Sequence, residues 1–402
     1  MRIARISNRI VVMIVMSGLL GGCASFSQSK QAAHQRYDQT AARGKIPLAR
    51  SLYESGKTED ALLVLTDCLQ LDPDNAAAHL LMGEVQLSIG RNEIARTHLL
   101  KAVTLQDQLA AGWAWLGVIA VEAKQLRQAQ EYQRKALERD PLNVDYILNL
   151  AETLVALDEM EAADSFLSEK CRVLPTNVRI LTTTANLKNR RGDRAGAIQQ
   201  YRQTLVLDPD NTEVKEALAY CYVASRDWSS ALDVFDQVIN TYTGSEKKTG
   251  LEMMAMCAMN SGQYGRAIKY YDRLSVDHRT DPQLWLNMGQ ASLGAKDARR
   301  AAECARRALD LRPAWDKAVA LRGCALYMEN DYAAAIASFR GITSSKELGG
   351  FAWLMIGRCF QQTGDSVQAE TALKTAASLN PDSKLVALVS ESGKTKSVTE
   401  NP

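Results

Sequence analysis

Small, apolar and turn-forming positions recur along residues 42–383 with a single period of 34 residues, and this recurrence organises the chain. Alanine holds the twentieth place of every period: Ala61, Ala95, Ala129, Ala163, Ala197, Ala231, Ala267, Ala301, Ala335 and Ala369. The eighth place is Gly or Ala throughout, at Ala49, Gly83, Gly117, Ala151, Ala185, Ala219, Ala255, Gly289, Gly323 and Gly357. Two small residues per period let two helices approach closely. The end of the period carries the turn: Leu71-Asp72-Pro73-Asp74-Asn75 returns as Leu207-Asp208-Pro209-Asp210-Asn211, and Pro141, Pro175 and Pro209 keep the spacing. A proline just past a helix end cannot continue the helix, and Asp and Asn favour turns and N-caps, so each run closes one unit and opens the next. Each period predicts a helix of about 12 residues, a turn near the fifteenth place and a second helix of similar length. Gly56, Gly90, Gly192, Gly262 and Gly364 fall in that turn, where a left-handed C-cap costs glycine little.

Ten units follow from this ruler: 42–75, 76–109, 110–143, 144–177, 178–211, 212–245 and, after two inserted residues, 248–281, 282–315, 316–349 and 350–383. Their pattern resembles the tetratricopeptide repeat family, which places Trp, Leu and Gly on a first helix, Ala, an aromatic and Ala on a second, and then Pro. Trp113, Leu116 and Gly117 carry the first-helix part, as do Trp285, Met288 and Gly289, and Trp353, Ile356 and Gly357. The second-helix part reads Ala197 with Tyr201, Ala231 with Phe235, Ala267 with Tyr271 and Ala335 with Phe339. The resemblance implies an all-α fold, a right-handed α-solenoid of about ten tetratricopeptide helix-turn-helix repeats, stabilised by contacts between neighbours because helices this short are marginal alone.

Three places weaken the pattern. Repeat one has Gly44 and Pro47 in its first helix, as a frayed or capping unit would, and repeat five has Thr184 where leucine is usual. The seam after repeat six has Thr243 in place of proline and carries Gly244-Ser245-Glu246-Lys247-Lys248 with the two inserted residues, which makes it the expected hinge. Beyond repeat ten, within 384–402, Leu385, Val386, Leu388 and Val389 form an apolar stripe suited to capping the stack, and Ser390 to Pro402 reads as a disordered polar tail.

The start of the chain has another character. Arg2, Arg5 and Arg9 precede an apolar run from Ile10 to Leu20, a positive region followed by a hydrophobic stretch too short for a permanent span of ~20 residues. It reads as an export signal over 1–22. Leu20-Gly21-Gly22-Cys23 then looks like the lipobox of bacterial lipoproteins, in which the cysteine thiol is acylated and becomes the mature N-terminus. That resemblance implies a covalent lipid on Cys23 as the only non-protein group, with no other cofactor. Because Ala24 rather than Asp follows, it also implies the periplasmic face of the outer membrane. Residues 23–41 are then an acylated cysteine and a polar tether.

Composition narrows the function. Formal net charge is +2, and loss of Arg2, Arg5 and Arg9 with the signal leaves −1, which supplies no basic stripe for nucleic acid. The four histidines show no metal-ligand spacing to one another or to the cysteines, and His79 and His98 read as packed side chains. Gly56-Lys57-Thr58 and Gly393-Lys394-Thr395 lack the earlier glycine of a phosphate loop. No catalytic, metal or small-molecule site is therefore expected. Cys221, Cys257 and Cys359 share the tenth place of a first helix and read as small hydrophobes. Cys304 and Cys324 are the only pair to test for a disulfide, and the sequence does not decide whether they form one.

In the tetratricopeptide family the concave surface is lined by places 2, 5, 9, 12 and 13 of the first helices. Here the resemblance assigns partner contact to Leu80, Glu84, Leu87, Val118, Val121, Glu122, Leu148, Glu152 and Val155 in repeats two to four. Met256, Met259, Tyr327 and Met328 follow in repeats seven to nine. Apolar side chains with acidic points, and adaptable methionines, suit protein or peptide segments. The expectation is a non-enzymatic outer-membrane lipoprotein that binds periplasmic protein partners. It would assist assembly of an envelope machine such as a type IV or tight-adherence pilus or secretion system. The alternative is a periplasmic cofactor of cell-wall or exopolysaccharide synthesis enzymes.

Overall fold

The computed structural model describes the backbone of residues 4–379 and the side chains of residues 29–379. Cys23 and the rest of the lipobox, and the stripe from Leu385 to Val389, lie outside the described side chains. Among the described residues there are twenty α-helices and no strand. They divide into two compact bodies, one ending at Arg191 and one beginning at Gly192.

The first body holds α1 (Ala4–Glu54), α2 (Thr58–Leu71), α3 (Ala76–Ser88), α4 (Asn92–Leu105) and α5 (Ala110–Glu122). It continues with α6 (Leu126–Arg139), α7 (Val144–Ala156), α8 (Met160–Val173) and α9 (Val178–Arg190). The second holds α10 (Arg194–Leu207), α11 (Thr212–Ala224), α12 (Trp228–Val238), α13 (Gly244–Asn260) and α14 (Tyr264–Ser275). After these come α15 (Pro282–Gly294), α16 (Ala298–Leu311), α17 (Asp316–Met328), α18 (Tyr332–Arg340), α19 (Gly349–Thr363) and α20 (Ser366–Leu379). Within each body every helix packs on its successor, and in the first body the leading helices of consecutive repeats also touch. These are the helix pairs of the tetratricopeptide pattern. Repeat five contributes α9 to one body and α10 to the other.

The turn motif acts through its Asn and Asp side chains. Asn75, Asn143, Asn177 and Asn211 close one repeat and cap the next helix, as when Asn75 Oδ1 accepts from the Ala78 amide at 3.0 Å and Asn211 Oδ1 from Val214 at 3.0 Å. Three of these amides also donate back to the Asp of the same turn, Asn75 to Asp72 at 3.2 Å, Asn143 to Asp140 at 3.1 Å and Asn211 to Asp208 at 2.8 Å. Asp193, Asp227, Asp297, Asp331 and Asp365 cap the second helices in the same manner. The fifteenth place has positive φ in all ten repeats. Five are the expected glycines; the others are Lys124, Asp158, Arg226, Lys296 and Asn330.

The alanines at place 20 are buried in every repeat. Place 8 faces them. A Cβ on Gly83 would lie 2.6 Å from Leu99 Cγ and 3.3 Å from the Ala95 carbonyl, and one on Gly357 would lie 2.8 Å from Leu373 and 3.4 Å from the Ala369 carbonyl. A second device joins consecutive repeats: the ring at place 4 donates to the carbonyl six residues earlier. Trp113 Nε1 reaches Asp107 O at 3.0 Å, Trp285 Nε1 reaches Arg279 O at 2.8 Å, and His79 Nε2 meets Pro73 O at 2.9 Å.

Several expectations change. Residues 29–41, within the polar tether, are helical as part of α1, which runs on through Gly44 and Pro47 into repeat one. The seam after repeat six, the place expected to bend if the array flexes, is partly helical. The inserted residues extend α13, which starts at Gly244, and Gly250 lies so close that a Cβ would stand 2.8 Å from Ile239 Cδ1 and 3.0 Å from Tyr242 Cδ2. Thr184 is buried without penalty because its hydroxyl donates to Ile180 O at 2.7 Å. Cys304 and Cys324, whose pairing the sequence left open, both carry free thiols. His79 and His98, which showed no spacing relation in the sequence, pair directly through their Nδ1 atoms at 2.9 Å.

Candidate protein-docking surface

In the first body much of the expected apolar floor is committed to the core. Leu148 is 8% exposed and packs with Leu150, Ile147 and Ile180, so it is a core residue rather than a contact residue. Leu80 and Leu87 are half-buried against the cluster of Trp113 and Leu116, and Val155 against that of Leu154 and Leu167. Val118 is half-buried and Val121 is exposed. Two of the three acidic points are engaged as well. The Glu84 carboxylate accepts from Trp115 Nε1 at 3.3 Å and lies 3.9 Å from Arg50; burial raises its pKa, against the pull of Arg50 and Trp115. Glu122 accepts from Asn92 Nδ2 at 2.7 Å. Glu152 is exposed and has no ionic partner among the described residues.

In the second body the expected methionines open a real concavity. Met256 and Met259 on α13 line a pocket of about 500 Å³ with Tyr271 and Leu274 of α14 and Leu284 of α15. Burial first, and then the Glu252 carboxylate, push the Tyr271 phenol up. The rim is polar: Lys248 and Glu252, whose charged atoms are 3.8 Å apart, then His278, Asp281, Gln283, Asn287 and Gln290. Asp281 caps α15 by accepting from the Gln283 amide at 2.8 Å, and Gln283 Nε2 donates to Asn287 Oδ1 at 2.7 Å. An apolar floor with amides on one wall can accept an apolar side chain and hydrogen-bond the backbone that carries it. Met256 is 38% exposed, so the floor is open to a partner.

Sequence reasoning had not singled out Glu252, Gln283, Asn287, Gln290, Tyr271 or Leu274 for this site. Glu252, Gln283 and Gln290 stand at places 5, 2 and 9 of their first helices, so the place rule could have found them; the second-helix residues and Asn287 at place 6 lie outside it. Tyr327 and Met328 are not part of the pocket. Tyr327 is half-buried against Tyr332, with ring centroids 5.5 Å apart, and under the Arg358 guanidinium at 5.8 Å; Met328 is exposed.

Reactive chemistry is not built here. Burial raises the Cys257, Cys304, Cys324 and Cys359 thiols to about 11, which keeps them protonated and weakly nucleophilic at neutral pH. Among the described residues no group of three or more His, Cys, Asp or Glu side chains could hold a metal ion, and no helix is long and apolar enough to cross a membrane.

Comparison with known proteins agrees with the repeat pattern. Tetratricopeptide repeat models match residues 52–116, 190–247 and 110–141, and a model of the middle TPR-like domain of cilia and flagella-associated protein 70 matches 251–380. Human general transcription factor 3C polypeptide 3 is 24% identical over 196 residues, 47% of this chain and 22% of that protein. DnaJ homolog subfamily C member 3 of Rattus norvegicus is 24% identical over 192 residues, 44% of this chain and 38% of that protein. The aligned regions therefore span well under half the length of these relatives. Among solved structures, PilW, a type IV pilus biogenesis factor, aligns with a TM-score of 0.46 at 18% identity over 52% of this chain and 98% of its own. Pseudomonas aeruginosa pilF gives 0.44 at 19% identity over 53% and 97%. The repeat models carry the assignment; structural scores of this size carry none.

Proposed function

The chain is a tetratricopeptide-repeat protein, a scaffold for protein–protein interaction, and from that premise we propose that its docking site is the Met256–Met259 pocket of repeats seven and eight. The single observation that supports this is the pocket itself, an open apolar floor on Met256 and Met259 of repeat seven walled by the amides of Gln283, Asn287 and Gln290 of repeat eight. The partner is an extended protein segment that lays an apolar side chain on the methionines and its backbone along Gln283, Asn287 and Gln290. Nothing in the site calls for turnover, and the scaffold acts by holding.

The finer reading places this scaffold on the periplasmic face of the outer membrane, anchored by a lipid on Cys23, where it assists assembly of an envelope machine such as a type IV or tight-adherence pilus or secretion system. Its support is the charged and apolar leader ending in Leu20-Gly21-Gly22-Cys23, joined to a protein-docking array. A photo-crosslinking amino acid at Met256, in cells of the native host, tests both parts. Crosslinks to periplasmic or outer-membrane assembly components, lost in a folded Met259→Asp variant, are expected. Crosslinks to cell-wall or exopolysaccharide synthases would replace the assembly reading, and crosslinks that survive Met259→Asp would move the docking site elsewhere.

A further inference from the structure

On the other side of α13 lies a smaller pocket of about 270 Å³, lined by Glu216 and Tyr220 of α11, Tyr242 of the following connection, and Ser245, Glu246 and Thr249 of α13. Its chemistry differs from that of its neighbour. Two carboxylates, two phenols and two aliphatic hydroxyls line it, with no cationic side chain among them. Neither Glu216 nor Glu246 forms an ion pair among the described residues. The Lys248 ammonium, carried on the same stretch of helix, instead lies 3.8 Å from Glu252 beside the larger pocket.

The walls are held in place. Tyr220 stands edge-on to the fully buried Phe235, with ring centroids 5.5 Å apart, yet remains 38% exposed toward solvent. The Tyr242 hydroxyl is buried without a hydrogen-bond partner. Burial first, and then the Glu216 carboxylate, raise both phenols; Glu216 acts on the Tyr242 hydroxyl by its charge and then by a hydrogen-bonding contact too poorly aligned to satisfy that hydroxyl. The pocket is thus a negative, aromatic, hydroxyl-rich recess whose buried oxygen still lacks a donor. A guanidinium or ammonium group answers each of these features. It supplies positive charge to the carboxylates, N–H donors to the oxygens, and a stem and cationic face to the tyrosine ring.

We propose that this recess receives an Arg or Lys side chain of the same partner segment that fills the Met256–Met259 pocket, an inference that rests on the docking reading of that pocket. The two sites flank one helix. Met256 and Met259 stand roughly ten residues along α13 from Ser245, Glu246 and Thr249, or ~15 Å at ~1.5 Å per residue, and neighbouring helices pack ~8–10 Å apart, so with an extended chain rising ~3.3 Å per residue the basic and apolar side chains stand about five to six positions apart in the partner. The partner class is therefore an extended segment with a basic anchor and an apolar anchor at that spacing.

Selection of a random-peptide phage library on the full chain in detergent tests this. Enriched peptides should pair Arg or Lys with Leu, Ile, Met or Phe at that spacing. A synthetic copy should bind a Glu216→Gln, Glu246→Gln double variant about tenfold more weakly at low salt, with the gap narrowing as salt is raised. Glu246 is exposed in the first turn of α13, so Glu246→Gln alone gives a second variant that leaves the packing untouched. Circular dichroism monitors the fold of each. Apolar peptides that ignore both Gln variants but are lost on Met256→Asp would overturn the basic anchor and leave the docking reading standing. Failure to enrich peptides over an unrelated protein, or peptides indifferent to Met256→Asp, would overturn both.

Discussion

The imidazoles of His79 on α3 and His98 on α4 face each other through Nδ1 atoms 2.9 Å apart, in the places that Trp113 and Tyr132 occupy in the next repeat. Since His79 Nε2 donates to Pro73 O, the neutral His79 offers its Nδ1 lone pair, and His98 supplies the proton between the rings. Burial first, and then the charge of His79, hold the His98 pKa below the ordinary histidine value.

The sign of the pH effect follows. As pH falls through about 6.5 an unfolded His98 binds a proton that the folded one refuses until lower pH, so the unfolded state binds more protons and stability declines across that window. Hydrogen exchange corrected for intrinsic rates should lose protection in repeats one and two between neutral pH and about 5. A His79→Trp, His98→Tyr double variant, which copies repeat three, should flatten this dependence. Equal pH response in native and double variant would show that the pair does not control the seam.

Helix contact at places 8 and 20 makes a sharp prediction at Gly323. A Cβ there would stand 2.7 Å from the ring of Phe339, which is fully buried and cannot move aside. Gly323→Ala should therefore destabilise repeat nine by about 1–3 kcal/mol, the usual range for overpacking. Gly44 is the control, since nothing lies within 4 Å of its would-be Cβ in α1. Gly44→Ala should instead stabilise by about 0.5–1 kcal/mol through helix propensity. Regional hydrogen exchange separates the two outcomes.

The turns predict a gain where the sequence is at odds with its backbone. Lys124 holds φ 58 at the place where five other repeats use glycine. Lys124→Gly should stabilise the repeat-three turn by about 0.5–1 kcal/mol, the left-handed penalty less the extra freedom glycine has when unfolded. Asn330→Gly should gain less, because asparagine tolerates the left-handed region. Equal gains at both sites, measured by local exchange, would contradict the strain argument.

The repeat order was legible because its determinants are local and periodic. Ala231 is buried for the same reason as Ala95, and Asn211 caps for the same reason as Asn75. The five non-glycine turns were not legible, since the left-handed residue is demanded by the meeting of two helices and Lys124 or Arg226 merely complies. The candidate site was legible by half. Place numbers led to Met256 and Met259, but they also named Leu148, whose burial depends on side chains of the following repeat such as Ile180. The His79–His98 pair was invisible as a motif because nineteen residues and a turn separate its members.

The proposed membrane placement of the scaffold depends on lipid attachment at Cys23. The proposed anchor rests on Leu20-Gly21-Gly22-Cys23, whose two small residues before a thiol behind a hydrophobic leader would let a peptidase reach the bond before an acylated Cys23. One acyl chain gives only reversible membrane binding at roughly 0.8 kcal/mol per buried methylene, so durable anchoring needs more than one. Cys23→Ser removes the nucleophile. The variant should lose labelling by a clickable palmitate analogue and accumulate as the unprocessed precursor, while its repeats stay folded by circular dichroism. Labelling that persists in Cys23→Ser would remove the anchor, and with it the outer-membrane placement, without touching the docking site of repeats seven and eight.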